Sequence, residues 1–455
     1  MSWKEDLKSR EQEHVDELLE LLRIPSVSTS PENKPDMQST AEWVAARMER
    51  AGVPEVRIAQ SAGHPAVLGR WHVSNDQPTI LIYGHYDVQP AEPLELWESP
   101  PFEPKVDGDI IYARGSSDMK GNLLTVLQGI EAVAGANGGT LPINVSFIFE
   151  GEEEIGSPNL VQIIRENRDM LAADAVISAD GGQHGPDTPS MGVALKGLTG
   201  LQINLTTANT DMHSGAYGAY MPNAVQRLVK LAATFHDDDG HVLVEGFYDR
   251  VRELTQADRD EMAALPIDEA EEKESMAVTA FFGESGYTPR ERQWARPTLD
   301  MNGIWGGFQG SGTKTVTPAK AHLKITCRLV PDQDPKEIQQ LLVAHCEKHA
   351  PAGATIDVQL GQGSARPYAV DRSHPVYKAV EATLTELYGT EPVIVRTGGT
   401  VPATGIFQDE LGLETITLGW AQHGSKAHAP NEWHSIAAHL RGREGYARLL
   451  ELLAR

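Results

Sequence analysis

Thr79-Ile80-Leu81-Ile82-Tyr83-Gly84-His85-Tyr86-Asp87-Val88 is the stretch whose reading decides the fold. Apolar and β-branched residues run into Gly84, and a His-x-Asp pair stands where the run ends. The run reads as a strand, and side chains alternate faces along a strand, so His85 and Asp87 point the same way. A metal-ligating histidine often has its ring steered by such a carboxylate. Taken in isolation, the pair reads first as a buried histidine with a satisfied partner. The balance shifts because carboxylates recur at matching positions, at Asp118, Glu153-Glu154 and Asp180. Each lies just past an apolar, strand-like run or on the loop after one. Acidic groups gathered at one rim of a sheet repel each other unless cations sit among them.

The 455 residues suffice for two or three domains with separate cores. The 64 acidic residues outnumber the 39 basic ones and leave a net charge of −25. No basic stripe interrupts that excess, so a nucleic-acid partner is not expected. No window has the length of a membrane span, so no membrane partner is expected either. The start, Met1-Ser-Trp-Lys-Glu-Asp, is charged and has no apolar signal core. Cys327 and Cys346 are the only cysteines, too few for a disulfide framework or a Cys-based zinc cluster. A reduced, cytoplasmic setting is therefore expected. The sequons at Asn144 and Asn204 carry no weight without secretion.

Outward from the opening stretch, a helix is expected over Glu5 to Arg23 and another over Ala41 to Met48. Strands are expected at Val56–Ile58, Ala66–Trp71, Thr79–Val88, Ile143–Phe149 and Ala173–Ser178, with a helix over Leu123–Val133. Pro90 to Lys105 reads as a surface loop. Strands alternating with helices argue for an α/β sheet with its ligands at the carboxyl ends. After about Met191 the grammar changes. Val193–Thr207 reads as strand, Asn223–Phe235 as helix, Thr315–Val330 as paired strands, Asp334–His349 as helix and Thr355–Leu360 as strand. This is a small α+β unit, interrupted by an acidic, helix-prone insertion around Asp237 to Asp300. From Arg366 onward the α/β pattern resumes, with a helix over Val376–Tyr388 and a strand over Glu414–Leu418. The expected organisation is a discontinuous domain of residues 1–190 and 366–455, with residues 191–365 inserted.

The remaining signals fall in order: Gly84-His85-Tyr86-Asp87, Gly115-Ser116-Ser117-Asp118-Met119-Lys120-Gly121, Glu150-Gly151-Glu152-Glu153-Glu154-Ile155-Gly156-Ser157, Asp180, and Lys426-Ala427-His428-Ala429-Pro430-Asn431-Glu432. Each is weak alone; together, in this order and spacing, they are specific. The set resembles the zinc-dependent amidohydrolase and metallopeptidase superfamily of carboxypeptidase G, acetylornithine deacetylase, succinyl-diaminopimelate desuccinylase, aminoacylase and carnosinase. Asp211-Met212-His213-Ser214-Gly215, Gly312-Thr313-Lys314-Thr315 and Cys327-Arg328-Leu329-Val330-Pro331 resemble its cytosolic non-specific dipeptidase and carnosinase branch. The fold this implies is α/β: a catalytic domain with a mixed, mainly parallel sheet and a di-zinc site, plus an inserted α+β, ferredoxin-like lid that dimerises.

The resemblance assigns Asp118 as the bridge between two zinc ions, one also held by His85 and Asp180, the other by Glu154 and His428. Manganese or cobalt could substitute. A bridged pair of metals about 3.5–4 Å apart needs one shared carboxylate and further ligands on each side. Asp87 would hold the His85 ring, and Glu153, beside a ligand but not one itself, would be the general base. An acidic triplet is by itself a solvated turn, and Glu152-Glu153-Glu154 leaves the register open by one residue. The pattern Glu-Gly-x-Glu-Glu-x-Gly-Ser places the base at Glu153. At Asp180 the chain departs from its relatives, because Ala179 separates it from the Ile-Ser pair; Asp174 is the alternative, though it precedes its strand.

Substrate recognition is expected from the inserted unit. Arg328 would clamp a carboxylate, although alone it reads as a surface ion-pair arginine. His213 would donate to the oxyanion, in a homodimer from the partner's lid, and Thr315 is a further expected substrate-binding residue. Gly399 and Thr400, in the Gly398-Gly399-Thr400 turn, could offer backbone amides to a carboxylate. The histidine that the carnosinase branch carries before its Lys-Pro-Trp has no counterpart in Gly361 to Tyr368, which leaves the dipeptide preference open. The expected activity is dipeptide hydrolysis, the alternative N-acyl-amino-acid deacylation on the same scaffold. An inactive metal-binding interaction protein is the reading from another class, and the intact Glu153 argues against it. Gly307 to Gly312 lacks a phosphate-loop lysine, and Gly310-Ser311-Gly312 lacks a serine-hydrolase elbow.

Overall fold

Thr79–His85 lies inside a six-stranded sheet ordered Glu55–Ala59, Ala66–Trp71, Asn144–Glu150, Thr79–His85, Ala175–Ser178 and Thr415–Thr417. The last four strands run parallel to one another, and the first two join antiparallel. The fold is thus mixed α/β with a mainly parallel sheet. From Ile80 to His85 every residue is buried, as is every residue of Asn144–Glu150 and Ala175–Ser178. Such continuous burial is why these strands read as apolar runs rather than alternating ones. Parallel strands end on the same side of a sheet, so their carboxyl-terminal loops share one rim. The register aligns His85 with Glu150 and Tyr83 with Ser178, which brings three acid-bearing loops together there.

The computed structural model describes residues 1–265, 267–361, 363–398 and 401–455. Contacts divide the chain into two compact units: Met1–Val193 with Val370–Val395 and Pro402–Arg455, and Ala194–Ala369 with Arg396–Val401. In the first unit the helix Gly121–Ala136 packs on the last helix, Ile436–Leu453. Their close approach depends on Gly129, where a Cβ would stand 2.6 Å from the Arg443 carbonyl oxygen. The second unit holds a four-stranded antiparallel sheet ordered Thr298–Gly306, Lys320–Leu329, Gly197–Thr206 and Thr355–Leu360. Leu228, Leu231, Ile338 and Leu342, from the helices Ala224–Ala232 and Pro335–Lys348, join its apolar core.

Several elements differ from expectation. The first helix is two, Trp3–Ser9 and Glu11–Leu22, broken at Arg10. There the Arg10 side chain is drawn to Glu13 at 2.7 Å and Glu131 at 3.0 Å. Thr79–Val88 ends as a strand at His85. The single strand expected from Val193 to Thr207 breaks at Lys196, whose buried Nζ donates to the Arg296 carbonyl at 2.6 Å. Thr315–Val330 is not a pair with itself: Val316–Thr317 pairs with Met212–His213, while Lys320–Leu329 enters the large sheet. The acidic insertion contains the short helices Gln256–Ala263, Glu269–Ser275 and Pro289–Ala295. Cys327 and Cys346 are buried and free. Among the described residues, no helix is long and apolar enough to cross a membrane.

Candidate metal centre

His85 closes its strand and is fully buried. Its Nδ1 lies 3.0 Å from the Asp87 carbonyl oxygen and 3.4 Å from Asp87 Oδ1. Its Nε2 is 3.2 Å from Asp118 Oδ1 and 4.0 Å from Asp180 Oδ2, yet makes no aligned hydrogen bond. Asp118 turns its other oxygen, Oδ2, toward His428 Nε2 at 3.0 Å, and that nitrogen is 3.1 Å from Glu154 Oε2. The five expected ligands therefore form one continuous chain, Asp180–His85–Asp118–His428–Glu154. Asp118 is its midpoint, with one oxygen toward each histidine. His85, Asp118 and Glu154 each offer a donor atom within 4.8 Å of the others. Both His85 Nε2 and Glu154 Oε1 are buried without a hydrogen-bond partner. An orphaned buried polar atom costs about 1–3 kcal/mol, a cost that a cation between them would remove. Imidazole and carboxylate donors in this mixture suit zinc.

Local structure explains how each side chain arrives. Glu153 and Glu154 begin a short 3₁₀ turn, and their backbone N–H groups donate to Asp87 Oδ1 at 3.2 Å and Oδ2 at 3.1 Å. Asp87 thus steadies the glutamate turn with its carboxylate while its backbone carbonyl faces the His85 ring. The acidic run splits into separate fates. Glu150 is buried and accepts from Tyr83 Oη at 2.9 Å and Ser157 Oγ at 2.8 Å. Glu152 is buried and accepts from the His64 N–H at 2.9 Å and from Asn159. Only Glu153 and Glu154 lie among the clustered acids. His428 rides a loop in which Lys426, His428 and Asn431 all have positive φ, at 58°, 63° and 62°. Non-glycine residues rarely hold that conformation, and strain of this kind collects at functional sites.

The charges are strongly mutual. Burial pushes Glu153 up to about 9, with Asp180, Glu154 and Asp118 adding to it and His85 opposing. Burial pushes Asp180 up to about 7, with Asp118 adding. Hydrogen bonds to Asp118 and Glu154 raise His428 to about 10. Burial opposes charge on His85, but Asp118 and Asp87 outweigh it and hold the ring well above its usual value. Burial would raise Asp118 as well; His428 and His85 overcome that and keep it below the usual carboxylate range.

The remaining expected residues lie elsewhere. Asp174 caps the opposite end of the sheet, where it accepts from the Thr79 N–H at 2.8 Å. His213, Thr315 and Arg328 belong to the second unit. His213 is exposed, and its Nδ1 accepts from the Gly215 N–H at 3.0 Å, so the neutral ring carries its proton on Nε2 and can donate there. His213 and Thr315 line a cavity of about 710 Å³ with Trp305, Lys314 and His322. Arg328 sits half-buried in Lys320–Leu329, opposite Leu198 and Thr298. Gly399 and Thr400 lie outside the described residues. Gln89 was missed in the sequence; its Nε2 donates to Glu154 Oε2 at 2.9 Å. Also missed were Arg114 and Glu432, a buried ion pair at 2.8 Å behind Asp118. Glu432 stands inside a quoted motif, but nothing in the sequence tells a buried glutamate from a solvated one.

Without cations, the expected ligands His85 and His428, and part of Asp180, hold protons at pH 7 on the shifts above. Binding a divalent ion must expel them. Affinity for zinc should therefore rise with pH between about 6 and 9, and calorimetry in buffers of different ionisation enthalpy should register proton release. An affinity flat across that range would contradict these charge assignments.

A family model described as peptidase family M20/M25/M40 matches residues 81–452. The Cys-Gly metallodipeptidase of Candida albicans is 28% identical, covering 96% of this chain and 93% of its own. A solved M20 family metallo-carboxypeptidase from Sulfolobus solfataricus superimposes with a TM-score of 0.83 at 34% identity, covering 97% of this chain and 99% of its own. Human carnosine dipeptidase 1 gives a TM-score of 0.79 at 25% identity, over 99% of this chain and 98% of its own. With the match spanning most of its length and the acidic rim at the expected strand ends, the chain belongs to the M20/M25/M40 peptidase family.

Proposed function

We propose that this chain is a di-zinc metallopeptidase that hydrolyses the peptide bond of dipeptides. The observation that carries the reading is Asp118, whose two oxygens face His85 and His428 separately, as a bridging ligand requires. His85 and Asp180 would hold one ion and Glu154 and His428 the other, with manganese or cobalt able to substitute. When bound, the metal pair supplies the Lewis acidity that polarises a carbonyl and makes water a nucleophile at neutral pH. Glu153 takes a proton from the attacking water as its oxygen bonds to the carbonyl carbon. It returns that proton to the amide nitrogen as the C–N bond breaks, leaving a carboxylate and an amine. Asp87 keeps the Glu153–Glu154 turn and the His85 ring in place.

The second unit is, on this reading, a ferredoxin-like lid and dimerisation domain. Its strand-helix-strand-strand-helix-strand succession supports that description. Arg328 and Thr315 from it, with Gly399 and Thr400, engage the substrate carboxylate. His213 stabilises the oxyanion through Nε2, in the partner subunit of a homodimer. The compartment is the cytoplasm. N-Acyl-amino-acid deacylation on the same scaffold is the alternative, and the Sulfolobus relative adds a metallo-carboxypeptidase to the comparison.

Zinc-reconstituted protein should hydrolyse free dipeptides in preference to N-acetyl amino acids and to N-blocked longer peptides. A preference for either blocked class, read as kcat/KM, would replace dipeptidase with deacylase or carboxypeptidase. Glu153→Gln should retain zinc and fold while hydrolysis falls roughly 10²–10⁴-fold. Loss of zinc from Glu153→Gln but not from Glu154→Gln would reverse the two roles. Inactive Glu153→Ala and His213→Ala chains, mixed and paired at random, should regain activity at roughly a quarter of all sites, one of the two in each heterodimer. Mixtures as dead as their parents would rule out a histidine supplied by the partner.

A further inference from the structure

Glu432 touches none of the atoms that would bind an ion, yet it is the most heavily bonded carboxylate behind them. It is fully buried. Its Oε2 accepts from Arg114 Nη1 at 2.8 Å and from the Gly115 N–H at 2.8 Å. Its Oε1 accepts from the Ser117 N–H at 2.8 Å, from Ser117 Oγ at 2.9 Å and from the Asp118 N–H at 3.0 Å. Five donors on one carboxylate match its lone-pair capacity and add one more, so the geometry has no slack. The two segments are 314 residues apart in sequence. They meet because Trp433–Ser435 pairs with Ile110–Tyr112, and the Ala113 N–H extends that pairing to the Glu432 carbonyl at 3.1 Å.

The partners of this pair reach the other loops of the rim. Arg114 Nη2 donates to the Pro90 carbonyl at 3.1 Å, just beyond Gln89. Asn431 receives the Glu98 N–H at 2.8 Å and donates to the Leu96 carbonyl at 2.9 Å. Glu432 also follows His428 by four residues, at the end of the loop with three positive-φ residues. The carboxylate therefore joins the segment that carries Asp118 to the segment that carries His428. These are the two side chains at the centre of the chain of five ligands.

We infer that Glu432 is a positioning residue for the metal pair: it fixes Asp118 and His428 in the mutual placement that lets one carboxylate face two histidines. This deepens the proposed function and rests on its assignment of Asp118 and His428 as ligands. A carboxylate is required because every group facing it is a donor. In Glu432→Gln the amide nitrogen would be turned either toward Arg114 and Gly115 or toward Ser117 and Asp118, donor against donor in both cases. The backbone of Gly115 to Asp118 must then shift, and the bridging carboxylate shifts with it.

The test uses full-length protein stripped of metal and titrated with zinc against a competing chelator, with melting of the metal-free state recorded alongside. Glu432→Gln should bind zinc about 10–100-fold more weakly than wild type. The zinc dependence of dipeptide hydrolysis should move by the same factor, with KM at saturating zinc unchanged within about twofold. Glu432→Asp, which keeps the charge on a shorter arm, should fall between the two, and serves alone if the glutamine variant does not fold. Arg47→Met is the control: it breaks another buried ion pair of the same unit, to Glu17 and Glu131, each at 2.6 Å, without touching the rim. It should lower the melting temperature and leave zinc affinity unchanged. Zinc affinity of Glu432→Gln equal to wild type would overturn the inference, as would an equal loss in Arg47→Met. Wild-type protein that takes up no zinc would overturn the ligand assignment itself, and with it this inference. Zinc uptake without dipeptide hydrolysis would overturn only the activity.

Discussion

Mutual repulsion of carboxylates at one rim of a sheet is the constraint on which the rest of this structure depends. Asp118, Glu153, Glu154 and Asp180 converge there with Asp87 just behind, and two imidazoles are the only side chains among these residues able to carry positive charge. Burial makes the repulsion severe, since each carboxylate loses water that would otherwise screen it. Protons can offset it, and in the cation-free state they do, which is why Glu153 and Asp180 sit so far above ordinary carboxylates. Divalent ions would offset it better, and would also satisfy the orphaned His85 Nε2 and Glu154 Oε1.

Such a cluster survives only if the surrounding chain holds it. Parallel strands deliver the loops to one rim, but strands fix only where loops begin. Hydrogen bonds to carboxylates finish the placement: Asp87 receives the N–H groups of the glutamate turn, and Glu432 receives those of the Asp118 turn. The two devices are the same in kind. Each uses a buried acid as a rigid acceptor for backbone N–H groups, and charge-assisted bonds of this sort are the stronger ones. The acidic excess of the chain is thus partly structural, and glutamates adjacent in sequence have opposite uses. Glu150 and Glu152 hold the turn from within, while Glu153 and Glu154 face the rim.

Where expectation and structure part, the cause is a contact distant in sequence. Where the first helix breaks at Arg10, its guanidinium joins Glu13 nearby to Glu131 on another helix, a partner that sequence spacing does not show. The strand after Val193 breaks at Lys196 because its ammonium is buried against carbonyls of residues about a hundred positions on. Asp87 was expected at His85 through its side chain, on strand geometry, but the strand ends at His85. With the alternation gone, the backbone carbonyl comes closest to the ring at 3.0 Å, and the carboxylate serves both the ring, at 3.4 Å, and the glutamate turn.

The sequence by itself determined which residue types crowd the rim and which apolar runs carry them there. Buried parallel strands must be continuously apolar, and ligand side chains must be His, Asp or Glu, so both leave a visible pattern. It also ordered the candidates well enough to separate Asp180 from Asp174, which caps the far end of the sheet. Only the tertiary structure decided which oxygen of Asp118 meets which histidine, that Gln89 bonds Glu154, and that Arg114 and Glu432 stand behind Asp118. Hydrogen bonds between segments hundreds of residues apart depend on loop conformation and burial, and neither is written in the type of the residues that make them.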